Sequence, residues 1–205
     1  MASPLASLKR GVLRPRDAVD IYAQPHSEFK RWEQAGVLLK VAHGYYVHIP
    51  EASRGASWRP EIEALALGIG QADYGVNGVA LMHLSAARLQ GAIPRAIAVA
   101  VLAVPKQRPT LETSCGRIVF VKRDVARLKR IKVKTELATG WCTSNEQTAV
   151  DLARRPNLVK GMSHVAQEAA SFLFLLSDIE QLDILAKDQR VGPAIDRLAS
   201  WTKDA

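Results

Sequence analysis

A chain of 205 residues with 48% apolar and 23% charged residues has ample material for a core, as one domain or two small ones, and the composition of a soluble globular protein. Its longest apolar runs, 96–104 and 172–176, are too short to span a bilayer, and residues 1–12 lack the apolar stretch of a secretory signal. Cys115 and Cys142 are isolated and the histidines show no metal-ligand spacing, so the expectation is a cytoplasmic protein with reduced thiols, no metal and no cofactor; the net charge of +8 favours a polyanionic partner.

In chain order, the first predicted element is a short helix opened by Pro15 and carried through Asp17, Ala18, Val19 and Ile21. Gln24-Pro25-His26-Ser27 reads as a turn. A second helix follows from Glu28 to Ala35, with Phe29 and Trp32 on one face and Gly36 at its C-terminal stop. Val37-Leu38-Leu39 and Tyr45-Tyr46-Val47 then flank Ala42-His43-Gly44 as a hairpin. Helix, turn, helix and hairpin make a winged helix-turn-helix over residues 1–50, a plan whose second helix fits the major groove of duplex DNA. The residues expected to touch DNA are His26, Ser27, Lys30, Arg31 and Gln34 on that helix and Lys40 and His43 on the wing. Arg14 and Arg16 lie just ahead of the helices, preceded by Lys9 and Arg10. An ordinary helical pair with a solvated basic face would show the same pattern.

Residues 50–58 are small, polar and aperiodic and read as a linker to a second unit, 58–205. There a helix is expected from Trp58 to Leu67 with Ser57 as its cap, and another from Leu81 to Gln90 ended by Gly91. The run Ile97–Val104 reads as a buried strand, followed by strands over 118–121, 132–136 and 139–142. From 144 onwards the chain turns helical. Ser144 and Ser177 head two capping boxes, Pro156 stops the first helix, and further helices are expected over 163–176 and 194–203. The fold class expected is thus α+β: a winged helix-turn-helix, then a mixed α/β unit ending in a helical bundle.

The charge is concentrated. Residues 105–134 carry ten lysines and arginines against two acids. Arg123, Arg127, Lys129, Arg130, Lys132 and Lys134 are therefore expected to form a positive face for nucleic acid or a partner, with a merely solvated sheet face as the alternative. Phe120 is the lone aromatic in the stretch, which argues against a stacking platform.

Enzyme signatures are sparse. Gly68-Ile69-Gly70 lacks the third glycine of a dinucleotide loop. Glu136 and Glu146 near Lys134 would be the carboxylates of a metal-dependent DNA-cleaving enzyme, although Glu146 also suits a helix N-terminus. His83 and His164 read as packed histidines, Asp151 as an i, i+4 partner of Arg155, and the stripe Val165, Ala169, Phe172, Leu173, Leu176 as core or as a docking face.

Three stretches resemble the AbiEi-type antitoxins of bacterial toxin–antitoxin operons. Lys40-Val41-Ala42-His43-Gly44-Tyr45-Tyr46-Val47 is similar to that family's wing. Leu84-Ser85-Ala86-Ala87-Arg88-Leu89-Gln90-Gly91 is similar to its serine–alanine stretch before a glycine, with Gln90 where many members have histidine. The run 143–156 is similar to its polar helix start and aspartate-bearing helix before a proline. The resemblance implies a transcriptional repressor that binds operator DNA of its own operon. It also implies that the chain counteracts a nucleotidyltransferase-like toxin without a stable complex. From the residues alone, a stand-alone winged-helix regulator with a ligand- or protein-sensing second unit stays open.

Overall fold

The computed structural model describes residues 11–203, an α+β arrangement of seven α-helices and two sheets. Lys9 and Arg10 lie outside the described residues. The first elements are β1 (Val12–Leu13), a single 3-10 turn (Pro15–Ala18), α1 (Pro25–Gln34), β2 (Leu38–Ala42) and β3 (Tyr45–His48). The three strands form an antiparallel sheet in the order β1-β3-β2. The expected first helix is therefore only one turn long. Helices are stabilised by burying an apolar stripe, and here Ala18 is buried while Val19 and Ile21 are exposed. The second helix begins three residues earlier than expected, because Pro25 occupies its first position, where a fixed φ helps and a missing N–H costs nothing. His26 and Ser27 thus belong to its first turn. Gly44 takes the positive φ that the two-residue hairpin tip demands.

Residues 50–57 are irregular apart from a short 3-10 turn, Glu51–Ser53. α2 spans Ile62–Tyr74, starting later and ending later than expected. Pro60 disfavours helical geometry in the residue before it, and the helix begins only after Glu61. Gly68 and Gly70 lie inside α2 as a close-packing device. A Cβ on Gly68 would sit 2.6 Å from Val12 Cγ2, and one on Gly70 2.4 Å from a Leu102 methyl.

β4 (Ala80–Leu81), α3 (His83–Leu89), β5 (Val99–Val104), β6 (Leu111–Thr113), β7 (Gly116–Lys122), β8 (Arg130–Lys134) and β9 (Thr139–Thr143) follow. Six strands make a mixed sheet in the order β6-β7-β5-β4-β9-β8. β5 is covered on both faces, which is why its sequence is apolar without alternation. Val101 and Ala103 pack against α3 and the C-terminal helices, while Ala100, Leu102 and Val104 pack against α2. Those C-terminal helices are α4 (Asn145–Arg154), α5 (Ser163–Leu175), α6 (Ile179–Gln189) and α7 (Gly192–Lys203). The cap of α6 is Asp178, whose carboxylate accepts the Glu180 and Gln181 N–H groups; Ser177 instead donates to the Leu173 carbonyl. The α5 stripe divides: Val165, Ala169 and Leu173 are buried, whereas Phe172 and Leu176 are exposed beside Leu175 and Ile179. Among the described residues, no helix is long and apolar enough to cross a membrane.

The N-terminal unit has a small core of its own, Leu13, Ala18, Phe29, Leu38 and Tyr46. It also shares one with the rest of the chain, since Val12, Val41 and Val47 cluster with Leu65, Ala66 and Ile69 of α2. Asp73 on α2 completes the joint. Its carboxylate accepts hydrogen bonds from Arg14 (2.6 Å), Arg16 (2.8 Å), Arg108 (2.6 Å) and the Tyr45 hydroxyl (2.7 Å).

Candidate nucleic-acid interface and basic cleft

α1 is amphipathic in the way its sequence dictates. Phe29 is fully buried and meets Tyr46 edge-to-face at 5.2 Å, and Trp32 is half-buried beside it. The opposite side carries His26, Ser27, Lys30, Arg31 and Gln34, all exposed. Arg31 is held by Glu28 at 2.6 Å and lies over the Trp32 ring. An exposed pair of this kind contributes about 0–1 kcal/mol, so it yields readily to a phosphate. His43 is exposed at the hairpin tip beside Gly44. Lys40 is exposed within β2, opposite Tyr46, rather than at the tip.

Arg14 does not belong to this surface. Only 8% of it is exposed, and its guanidinium forks onto both Asp17 oxygens while also reaching Asp73. A buried guanidinium with three of its five donors committed to two carboxylates acts as a structural clamp. Arg16 is exposed but shares the Asp73 carboxylate.

The basic stretch after Pro105 separates into two groups. Arg130, Lys132 and Lys134 alternate along the edge strand β8 and so share one face. Trp141 of β9 sits directly across from Lys132 on that face. Arg130 lies 4.7 Å and Lys132 5.7 Å from its ring, and the indole N–H donates to Asn77. An aromatic ring therefore lies beside the stretch, faced by two of its cations. It comes from the neighbouring strand, which only the pairing reveals. Lys129 is exposed just before β8.

The sheet arrangement around β5 can be compared with known proteins. The chain is similar in fold to the RV2827C protein from Mycobacterium tuberculosis. The two superpose with a TM-score of 0.64 over 97% of this chain and 73% of that one, at 18% identity. No family model matches this chain, and no curated protein matches it. At that identity, the likeness to the RV2827C protein is one of fold.

Arg123 and Arg127 form the second group, in a cleft beneath the C-terminal helices. Arg123 points inwards and pairs with Asp151 at 2.8 Å. Asp151 was expected to support α4 through Arg155. Instead its side chain is 1% exposed, and only the Arg155 backbone N–H returns to it, through the Asp151 carbonyl. Gln147 of α4 and Gln189 at the end of α6 pair through their amides, and Gln189 also accepts from Arg123. Burial pushes the Asp151 carboxyl up, against the pull of Arg123. One oxygen of Asp151, Oδ2, has no partner among the described residues.

His83 lies on the same side. It is fully buried, with φ of +55° at the start of α3, and its Nε2–H donates to the Arg155 carbonyl at 3.1 Å. Burial pushes its imidazolium down to about 4, so the ring is neutral at pH 7. Two cavities open here. One of about 550 Å³ is lined by Arg123, Arg127, Arg154, Lys187 and Arg190 together with Asp124 and Asp188; the other, of about 240 Å³, by His83, Arg123, Asp151, Arg154 and Arg155.

The stretch similar to the antitoxin serine–alanine run is used for packing. Ser85 Oγ accepts the Val101 N–H at 2.8 Å, and Gln90 donates to the Thr143 carbonyl at 2.6 Å. Glu136 and Glu146 are held apart: Glu136 accepts the Glu61 N–H, and Glu146 accepts the Asp178 N–H. Among the described residues, no group of three or more His, Cys, Asp or Glu could hold a metal ion. Cys142 is buried, which pushes its thiol up to about 12.

Proposed function

We propose that this chain is a DNA-binding repressor of the antitoxin type, with α1 as the recognition helix of a winged helix-turn-helix and the β2–β3 hairpin as its wing. The observation that carries the reading is the two-faced character of α1. Phe29 and Trp32 hold its inner side to the hairpin, and His26, Ser27, Lys30, Arg31 and Gln34 stand exposed on the other. A rigid helix presenting donors of this kind suits the edges of base pairs and their flanking phosphates. The abbreviated first helix departs from the usual winged plan, and the wing's third strand, β1, supplies the brace that a longer first helix would give.

The operon partner, a nucleotidyltransferase-like toxin, rests on the sequence resemblance alone. Two experiments test the parts separately. Gel shifts with the chain's own upstream region should give a specific complex that Lys30→Ala and Arg31→Ala weaken without unfolding the protein. Co-expression with the adjacent gene should restore growth if that gene encodes the toxin. Absence of a specific complex sinks the repressor reading; a complex without growth rescue leaves a stand-alone regulator.

A further inference from the structure

The cleft under the C-terminal helices has features that neither DNA binding nor packing requires. Arg127, Arg154, Lys187 and Arg190 form no ion pair with any described residue; Asp124 and Asp188 line the same cavity, so five cations there face two carboxylates. Arg123 and Arg154 line both cavities and so stand at their junction. Arg190 is held there by a left-handed backbone, φ +52°, at the end of α6. The larger cavity, about 550 Å³, is of the size that holds small organic ligands.

The smaller cavity has the opposite chemistry in its buried wall. His83 Nε2 faces a carbonyl oxygen, which can only accept, so the proton of the neutral ring is on Nε2 and Nδ1 is an acceptor. Nδ1 has no partner among the described residues, and neither does Asp151 Oδ2. Oδ1 of the same carboxylate already accepts from Arg123 and Gln147. Buried acceptors left open are costly and rare; His83 and Asp151 both line the smaller cavity, and the N–H or O–H donors of a ligand, or of an ordered water, would satisfy them.

We propose that this cleft binds a nucleoside triphosphate, its phosphates among Arg127, Arg154, Lys187 and Arg190 and its ribose hydroxyls or base N–H groups on His83 Nδ1 and Asp151 Oδ2. The anionic end answers the unpaired guanidinium groups, which bind phosphate in bidentate fashion. The donor-bearing end answers the open acceptors. The backbone of duplex DNA has the first chemistry and lacks the second, which separates this site from the α1 surface. The proposal does not depend on promoter binding.

Calorimetric titration of the full chain with ATP, GTP, CTP and UTP, with inorganic tripolyphosphate as the control, tests it. At least one nucleotide should bind about tenfold or more tightly than tripolyphosphate. Arg154→Glu with Arg190→Glu should weaken nucleotide and tripolyphosphate alike, by about tenfold or more. His83→Asn tolerates the left-handed backbone and should lower nucleotide affinity to that of tripolyphosphate. Equal binding of nucleotide and tripolyphosphate by the unaltered chain overturns the proposal, and that comparison needs no variant to fold. No nucleotide binding at millimolar concentration overturns it too. So does an affinity for duplex DNA that falls with the charge reversals while no nucleotide binds, because the cleft is then a nucleic-acid contact.

Discussion

Asp73, mostly shielded, and Asp151, buried, are both aspartates answered by arginine, and they are built to different ends. Asp73 receives donors from three guanidinium groups and one phenol, so every acceptor it has is occupied. Asp151 receives Arg123 and an amide on one oxygen and nothing on the other. A saturated carboxylate between two units is a rivet: its arginines come from the residue after β1, the 3-10 turn and the β5–β6 connection, and it fixes the α1–hairpin unit against α2. An undersaturated one in a cavity leaves capacity for something that arrives later. Undersaturation is tolerated only where the surrounding fold holds it in place, and at Asp151 that hold comes from the Gln147–Gln189 amide pair.

The comparison breaks first at Asp73. Asp73→Ala should destabilise the protein by about 3 kcal/mol, because Arg14 and Arg108 then lose a buried counter-charge, and Asp73→Asn should cost less. Urea unfolding measures both, and a loss below about 1 kcal/mol would show that Asp73 is no rivet. Asp73→Ala should also lower promoter affinity indirectly, by loosening α1.

On the Asp151 side the leading effect is pH-dependent. His83 takes up a proton at about 4 when folded, against an ordinary value of 6.5. The unfolded chain therefore binds the proton first as pH falls, and the stabilisation present above pH 6.5 is lost progressively towards pH 4. The full loss is about 3 kcal/mol at 1.36 kcal/mol per unit. His83→Asn should flatten that part of the stability profile. An unchanged slope between pH 6.5 and 4 in the variant would place the acid sensitivity elsewhere.

Two smaller effects sharpen the contrast between clamp and contact. Arg31→Ala should cost about 1–3 kcal/mol of promoter affinity if the side chain reads a base, or lower the salt slope by about one unit if it holds a phosphate, with little change in stability. Arg14→Ala should do the reverse, lowering the midpoint of unfolding and leaving the salt slope alone. Equal salt slopes for Arg31→Ala and the unaltered chain, with equal affinity, would remove α1 from the interface. Last, Gly68→Ala gains helix propensity but drives a methyl to within 2.6 Å of Val12 Cγ2, so a net loss of about 1 kcal/mol is expected in a thermal melt. A gain in stability would mean that β1 can shift without harm.

Much of the architecture was legible in the chain. The apolar run into β5, the cap at Ser144, the stop at Pro156, and the hairpin around His43 and Gly44 each carry a local signal strong enough to survive folding. β1, β4 and β6 carried none, because strands of two or three residues exist only through the partners that pair with them. The exposed face of α1, with His26, Ser27, Lys30, Arg31 and Gln34, was legible from helical spacing. Arg14 was not, because the carboxylate that buries it is Asp73, far along the chain. The ring of Trp141 beside the basic strand was hidden for the same reason: Lys132 and Trp141 meet only through the register of β8 on β9.

The sequence by itself determined the class of elements, the two faces of α1 and the excess of positive charge, since propensity, periodicity and composition act within a few turns of chain. Tertiary structure alone decided which arginines are spent on carboxylates and which remain open. It also decided that Gly68 and Gly70 serve close packing rather than a ligand loop, and that His83 and Asp151 share a cavity with Arg123 and Arg154. Burial and pairing are properties of neighbours in space, and the low dielectric that makes an unpaired group costly exists only once those neighbours have closed around it.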